Sequence, residues 1–316
     1  MITIVTVIFT VSALTALHAI INYYTDGGFL YIDTLPPWHA SNYKTIHGPL
    51  SYKNHYASLL ILTIPLGFGL LLSNKSPKHH SKSALVLNFI LSKNFILFVA
   101  SLFMIMVLIF NTSRGGLIAF ILGTTITTIL FFYIKKIKPK NIYKNIAGLI
   151  LIFITIIFSG LSDRLFERIS NYGENGRDIL RTTALNIVID NPIIGTGPGT
   201  YPAIQHKYKP DTLNGNKMWQ HVHNDYLELL SNQGIIGILL LGTAISMLIF
   251  SLIKGIKSNN SSLLGIQTSC LCSVFCVLIH SLMDFNFQLP VINVYFYIIL
   301  AVGIRISSIK QSRSHY

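Results

Sequence analysis

Long apolar runs recur along this chain and leave it few ways to fold. Approximate spans at 2–22, 55–73, 94–112, 116–134, 145–160, 235–253, 263–283 and 289–307 approach or reach the ~20 apolar residues that cross a ~30 Å hydrocarbon core. A segment facing lipid must satisfy its own backbone hydrogen bonds, so such runs become α-helices. Charged residues make up only 11% of the 316, against roughly 25% in soluble domains. That is too little polarity to clothe a water-soluble fold of this length. The expectation is an all-α polytopic membrane protein with about eight transmembrane helices, organised as a single membrane domain over 1–316. The first run has no basic flank and no small-residue cleavage site, so it reads as a retained helix rather than a signal peptide.

The net charge of +13 invites comparison with nucleic-acid binders, but its distribution points elsewhere. Fourteen of the 24 basic residues, and none of the 11 acidic ones, fall in 74–93, 135–144, 254–262 and 305–316. These are alternate loops, so the pattern is that of basic cytoplasmic loops facing anionic lipid, with both termini cytoplasmic. Membrane lipid is therefore the expected partner of these charges, and nucleic acid is not. The three cysteines, Cys270, Cys272 and Cys276, share one apolar run and read as buried free thiols. No metal-binding spacing occurs, and neither a metal nor a cofactor is expected.

Polar residues then stand out on the opposite, outer side. Asn54 and His55 open the second span and could be a helix cap or site residues. Arg114 lies in Asn111-Thr112-Ser113-Arg114-Gly115-Gly116, where Gly-Gly is expected to supply the turn of a hairpin. A guanidinium at a membrane edge either snorkels to lipid phosphate or meets a specific anion. The region 161–222 is too long for an ordinary connection and reads as helix, break, helix, stopped by Asn191-Pro192. Arg177 and Arg181 are one turn apart there, as either a phosphate clamp or a salt-bridged surface. Gly197 and Gly199 belong to a turn whose amides could form an anion nest.

The most polar part of the chain, 195–237, runs straight into an apolar span. Within it Asp225, Glu228 and Asn232 recur at i, i+3 and i+7, one face of a short helix that Gly234 closes. His223 and Asn224 stand at its N-terminus, making His223 a candidate base and equally a candidate cap. His280 and Asp284, between the last two spans, are one turn apart and expected to face each other.

Taken together these motifs resemble the O-antigen ligase/polymerase family of bacterial membrane glycosyltransferases. His223-Asn224, nine residues and then Gly234-Ile235-Ile236-Gly237 is similar to the family signature. Tyr52-Lys53-Asn54-His55-Tyr56-Ala57, Ser113-Arg114-Gly115-Gly116, Gly176-Arg177, Asn191-Pro192 through Gly199, and His280-Ser281 through Pro290 follow the family order. Relative to the family the chain reads as short at its N-terminus. The resemblance implies a GT-C-like helical bundle with one large periplasmic loop region at 161–222 and a periplasmic active site in the inner membrane. It implies metal-independent, inverting transfer of a glycan from an undecaprenyl-pyrophosphate carrier to lipid A core or to a growing surface polysaccharide. By the same resemblance His223, Arg177 and Arg114 would be catalytic. Arg181, Asn224, Asp225, Asn54, His55, Gly197, Gly199, His280 and Asp284 would bind substrate. Two alternatives stay open: a flippase for an anionic lipid-linked polysaccharide, and a protein O-oligosaccharyltransferase. A transporter would carry repeats and midplane charges, whereas here the polar groups gather on one side.

Overall fold

The structure is a computed structural model and describes residues 1–25, 46–50, 52–74, 89–137, 176–209, 219–258 and 263–313. Among these the helices are α1 (Ile2–Tyr24), α2 (Lys53–Ser73), α3 (Lys93–Phe110), α4 (Arg114–Ile134), α5 (Arg177–Asp190), α6 (Tyr201–Tyr208), α7 (Asp225–Ser258), α8 (Leu264–His280) and α9 (Pro290–Arg313). A 3₁₀ turn, Asn286–Gln288, precedes α9, and no strand occurs among the described residues. Six helices are long and apolar enough to cross a membrane, and α8, at 17 residues, is a shorter apolar one. The chain is thus a multi-pass helical membrane protein. Seven of the eight expected spans coincide with these helices, and the span at 145–160 lies outside the described residues.

The bundle is built around α2 and α8, which pack along each other, with α1 and α3 against α2 and with α4 and α9 chiefly against α8. Without water to drive apolar surfaces together, helices in lipid associate by close packing of small residues. The α2–α8 seam follows that rule: a Cβ on Gly265 would stand 2.7 Å from the Gly69 carbonyl oxygen. Outer helices present Leu14, Ile96, Leu240 and Phe250 to the exterior, as lipid-facing surfaces require.

One local expectation is corrected, and one is completed. The turn between α3 and α4 is made by Asn111, Thr112 and Ser113, with Thr112 at φ 58°, and not by Gly-Gly. Ser113 caps α4 by accepting the Gly116 amide, so Gly115 and Gly116 are helical and serve close packing. Secondly, the polar stripe of the 225–232 helix faces inward. Asp225, Glu228 and Asn232 are all buried, each holding another segment in place.

Gly234 interrupts α7 with φ 62° and separates that polar helix from the apolar run, as its sequence position suggests. The segment 192–197 latches onto this break. Ile235 and Ile236 donate to the carbonyls of Pro192 and Ile193, and Gly197 donates to that of Asn232. A Cβ on Gly234 would lie 2.2 Å from the Ile193 oxygen, so only glycine admits the latch. Asn232 in turn accepts the Tyr201 amide at the start of α6. Ala184, Ile187, Tyr201 and Val222 form a small separate core between α5, α6 and the segment before α7. This cap holds Arg177 and His223 over the end of the bundle.

Candidate active site

Four chain segments meet at that end: the start of α2, the start of α5, the residues before α7, and the turn after α8. Asn224 caps α7 by accepting the Leu227 amide at 3.0 Å, while its own amide donates to the Leu282 carbonyl at 3.1 Å. The Asp225 amide donates to the Ser281 carbonyl, and the Asp225 carboxylate accepts the amides of Asn286 (2.8 Å) and Phe287 (3.1 Å). These bonds tie the start of α7 to the turn at 281–287 and so bring His223 onto Asp284. Asn224 and Asp225 thus serve as scaffold for the site.

His223 Nδ1 lies 2.9 Å from Asp284 Oδ1. An ionised carboxylate only accepts, so Nδ1 carries the hydrogen and the Nε2 lone pair is left for another group. The Asp284 side chain is almost wholly buried, with Asn54 donating to Oδ2, the Phe285 amide donating to Oδ1, and Arg177 Nη2 3.7 Å from Oδ2. Arg177 Nη2 also donates to the Tyr52 hydroxyl at 3.0 Å, and Asn54 donates to the same oxygen at 3.2 Å. The Arg177 side chain keeps 36% of its surface exposed. His223 itself adopts φ 57°, a left-handed conformation uncommon for a side chain with a Cβ and imposed by the bonds around it.

Burial pushes the Asp284 carboxyl upward, but the hydrogen bond and charge of His223, with the charges of Arg177 and His280, outweigh it and hold the group well below the usual carboxylate range. A depressed folded value means that ionised Asp284 stabilises the fold above the unfolded value of ~3.9, and that this contribution is lost as pH falls through the folded one. Asp284→Asn is therefore expected to flatten the acid limb of the melting-temperature profile below about pH 4, measured in detergent. An unchanged limb would mean that other groups govern it.

The remaining expected residues take distinct positions. His55 packs edge-on against Phe285 (4.6 Å between ring centres) and Tyr52 (4.9 Å). Its Nε2 is buried with no hydrogen-bond partner among the described residues. His280 makes no side-chain hydrogen bond to Asp284 among the described residues; its Nδ1 pairs instead with Ser58 Oγ at 2.8 Å, locking α8 to α2. Arg114 heads α4 beside Gly115, whose Cβ would stand 3.2 Å from the His280 ring, so it belongs to the same end of the bundle. Arg181 sits one turn beyond Arg177, with its Nε buried and unpartnered among the described residues. The Gly197 amide is committed to the latch on α7, and a Cβ on Gly199 would meet open space.

Three participants carry no role legible in the sequence: His221, Phe285 and Tyr52. His221 Nδ1 pairs with Glu228 at 2.9 Å, and that carboxylate also accepts the Val222 amide. His221 stacks on Phe285, with 4.4 Å between ring centres, while His223 meets the same ring edge-on at 4.7 Å. Tyr52 is the third. The spacing of His221 and Glu228, seven residues apart with Glu228 on the polar stripe, was the one available signal. Among the described residues, no three of His, Cys, Asp or Glu gather as metal ligands would.

Chemically, the site offers a histidine whose Nδ1 is held by a carboxylate, beside a part-exposed arginine. Against known proteins, residues 99–242 match the family model described as O-antigen ligase, which supports the family assignment suggested by the motifs. An uncharacterized protein of Haemophilus influenzae is 28% identical over 195 residues, 55% of this chain. The chain spans 46% of the length of that relative.

Proposed function

From the match of residues 99–242 to the O-antigen ligase family model, we propose that the chain transfers a glycan from undecaprenyl pyrophosphate to lipid A core or a growing surface polysaccharide. The reaction takes place at the periplasmic face of the bacterial inner membrane, in a single membrane domain with cytoplasmic termini. The observation that carries this reading is the dyad of His223 and Asp284 beside Arg177.

In the step proposed, His223 Nε2 takes the proton of an acceptor hydroxyl as its oxygen bonds to the anomeric carbon. The bond from that carbon to the pyrophosphate oxygen breaks with inversion, and the electron pair leaves with the phosphate. Arg177, with Arg114 and Arg181 at the same end of the bundle, neutralises the departing charge, so no metal is required. Asp284 holds the imidazole in the useful tautomer and balances the imidazolium that forms. Asn54 steadies Asp284 in turn. A flippase would need no base, and the Nδ1–carboxylate anchoring of His223 therefore favours transfer over transport.

Complementation of a strain lacking its own ligase tests the reading, scored by lipopolysaccharide banding and by glycan left on the carrier. A ladder on lipid A core identifies a ligase, and longer carrier-linked chains identify a polymerase. If the protein reaches the membrane and the glycan neither moves nor lengthens, the reading fails.

A further inference from the structure

Tyr52 is the N-cap residue of α2, half-buried between Arg177 and His55. Its hydroxyl oxygen receives two N–H donors, Arg177 Nη2 at 3.0 Å and Asn54 Nδ2 at 3.2 Å. A phenol oxygen offers two acceptor positions and one O–H. Both acceptor positions are filled, and the one hydrogen goes to no other described residue. The nearby carboxylate of Asp284 is already engaged by Asn54, Phe285 and His223. Arg177, which donates to the Tyr52 oxygen, keeps 36% of its own side chain exposed. The two side chains thus form one donor surface, a guanidinium fork with a phenol O–H beside it.

We propose that the Tyr52 O–H and the Arg177 guanidinium together bind the phosphoryl oxygens of the donor's pyrophosphate, Tyr52 by direct hydrogen bond. This deepens the glycosyltransferase reading and rests on it for the identity of the ligand. Tyr52 donates a hydrogen bond and keeps its proton throughout. Burial and the Asp284 charge raise its pKa against the opposing pull of Arg177, which keeps the phenol protonated at neutral pH. A neutral donor suits this place. It adds a bond to the anion without adding a second cation next to Arg177, and its aromatic ring is already packed against His55.

The probe is inorganic pyrophosphate, titrated into the full chain in detergent, with transfer kinetics followed in parallel. Tyr52→Phe keeps the ring and removes the O–H. It is expected to weaken pyrophosphate binding about tenfold, the usual scale of a hydrogen bond to a charged group. It is also expected to lower kcat with little change in acceptor KM. Removing the hydroxyl also deprives Arg177 of an acceptor, so the same substitution is made in an Arg177→Ala background. A similar loss there means that Tyr52 touches the phosphate itself. No further loss there means that it acts only through the arginine, and equal binding in the single variant means no role; either result overturns the proposal. Weakened binding in Tyr52→Phe with no glycan transfer by the wild type would retain the anion site and discard the glycosyltransferase reading.

Discussion

Removing the His223 imidazole is expected to lower glycan transfer by about 10²–10⁴-fold, the range that a positioned general base supplies. The choice of substitution matters because His223 sits at φ 57°. Alanine in the left-handed region costs ~1–2 kcal/mol, whereas asparagine visits it routinely. His223→Asn therefore separates loss of the base from loss of the fold, and His223→Ala should match it in rate while melting lower. The measurement is transfer per molecule of protein recovered in the membrane. Transfer near the wild-type rate in both variants would remove His223 from the chemistry and leave its bond to Asp284 as a scaffold. The prediction is sharp because that bond already occupies Nδ1, so Nε2 is the only ring nitrogen available as a base.

The second large effect belongs to Arg177. Arg177→Ala is expected to reduce the rate by about 10²–10³-fold, as for loss of a donor aimed at developing charge. Arg177→Lys should recover part of it, because the charge remains but the planar guanidinium, whose Nη2 reaches both Tyr52 and Asp284, does not. Acceptor KM should hold steady in both, since the arginine stands on the donor side in the proposed step. If alanine and lysine perform equally well at the wild-type level, Arg177 merely neutralises Asp284. The leaving group must then be stabilised elsewhere at this end of the bundle, where Arg114 and Arg181 are the remaining candidates.

The buried polar stripe of α7 keeps the site in register. In a soluble helix Asp225, Glu228 and Asn232 would face water. Here each is buried and spent on a neighbouring segment: Asp225 on the turn at 286–287, Glu228 on His221 and Val222, Asn232 on the start of α6. Buried polar groups in a low-dielectric setting are costly unless paired, and paired they favour one arrangement. That is how a helix start, two loops and a turn from distant parts of the chain come to hold one histidine in a strained conformation.

Much was legible from the amino-acid order alone. Hydropathy is local and additive, so the apolar runs located the long helices, and Gly234 marked the break in α7. Motif order along the chain resembles that of the family whose model residues 99–242 match, and His223, Arg177 and Asn54 stand within those motifs. Pairing was different. Asp284 was matched to His280, one turn away, because sequence spacing favours near neighbours. Its hydrogen-bonded histidine is His223, 61 residues distant, while His280 turns to Ser58. Tyr52 and Arg177 lie 125 residues apart and share no local signal, yet they bond at 3.0 Å. Periodicity likewise grouped Asp225, Glu228 and Asn232 on one face but did not say whether that face turned in or out. The chain's own composition thus determined which segments are helices and which polar residues are unusual. Only the packed bundle decided which of them touch, because hydrogen bonds depend on ångström-scale approach between segments whose separation along the chain carries no distance information.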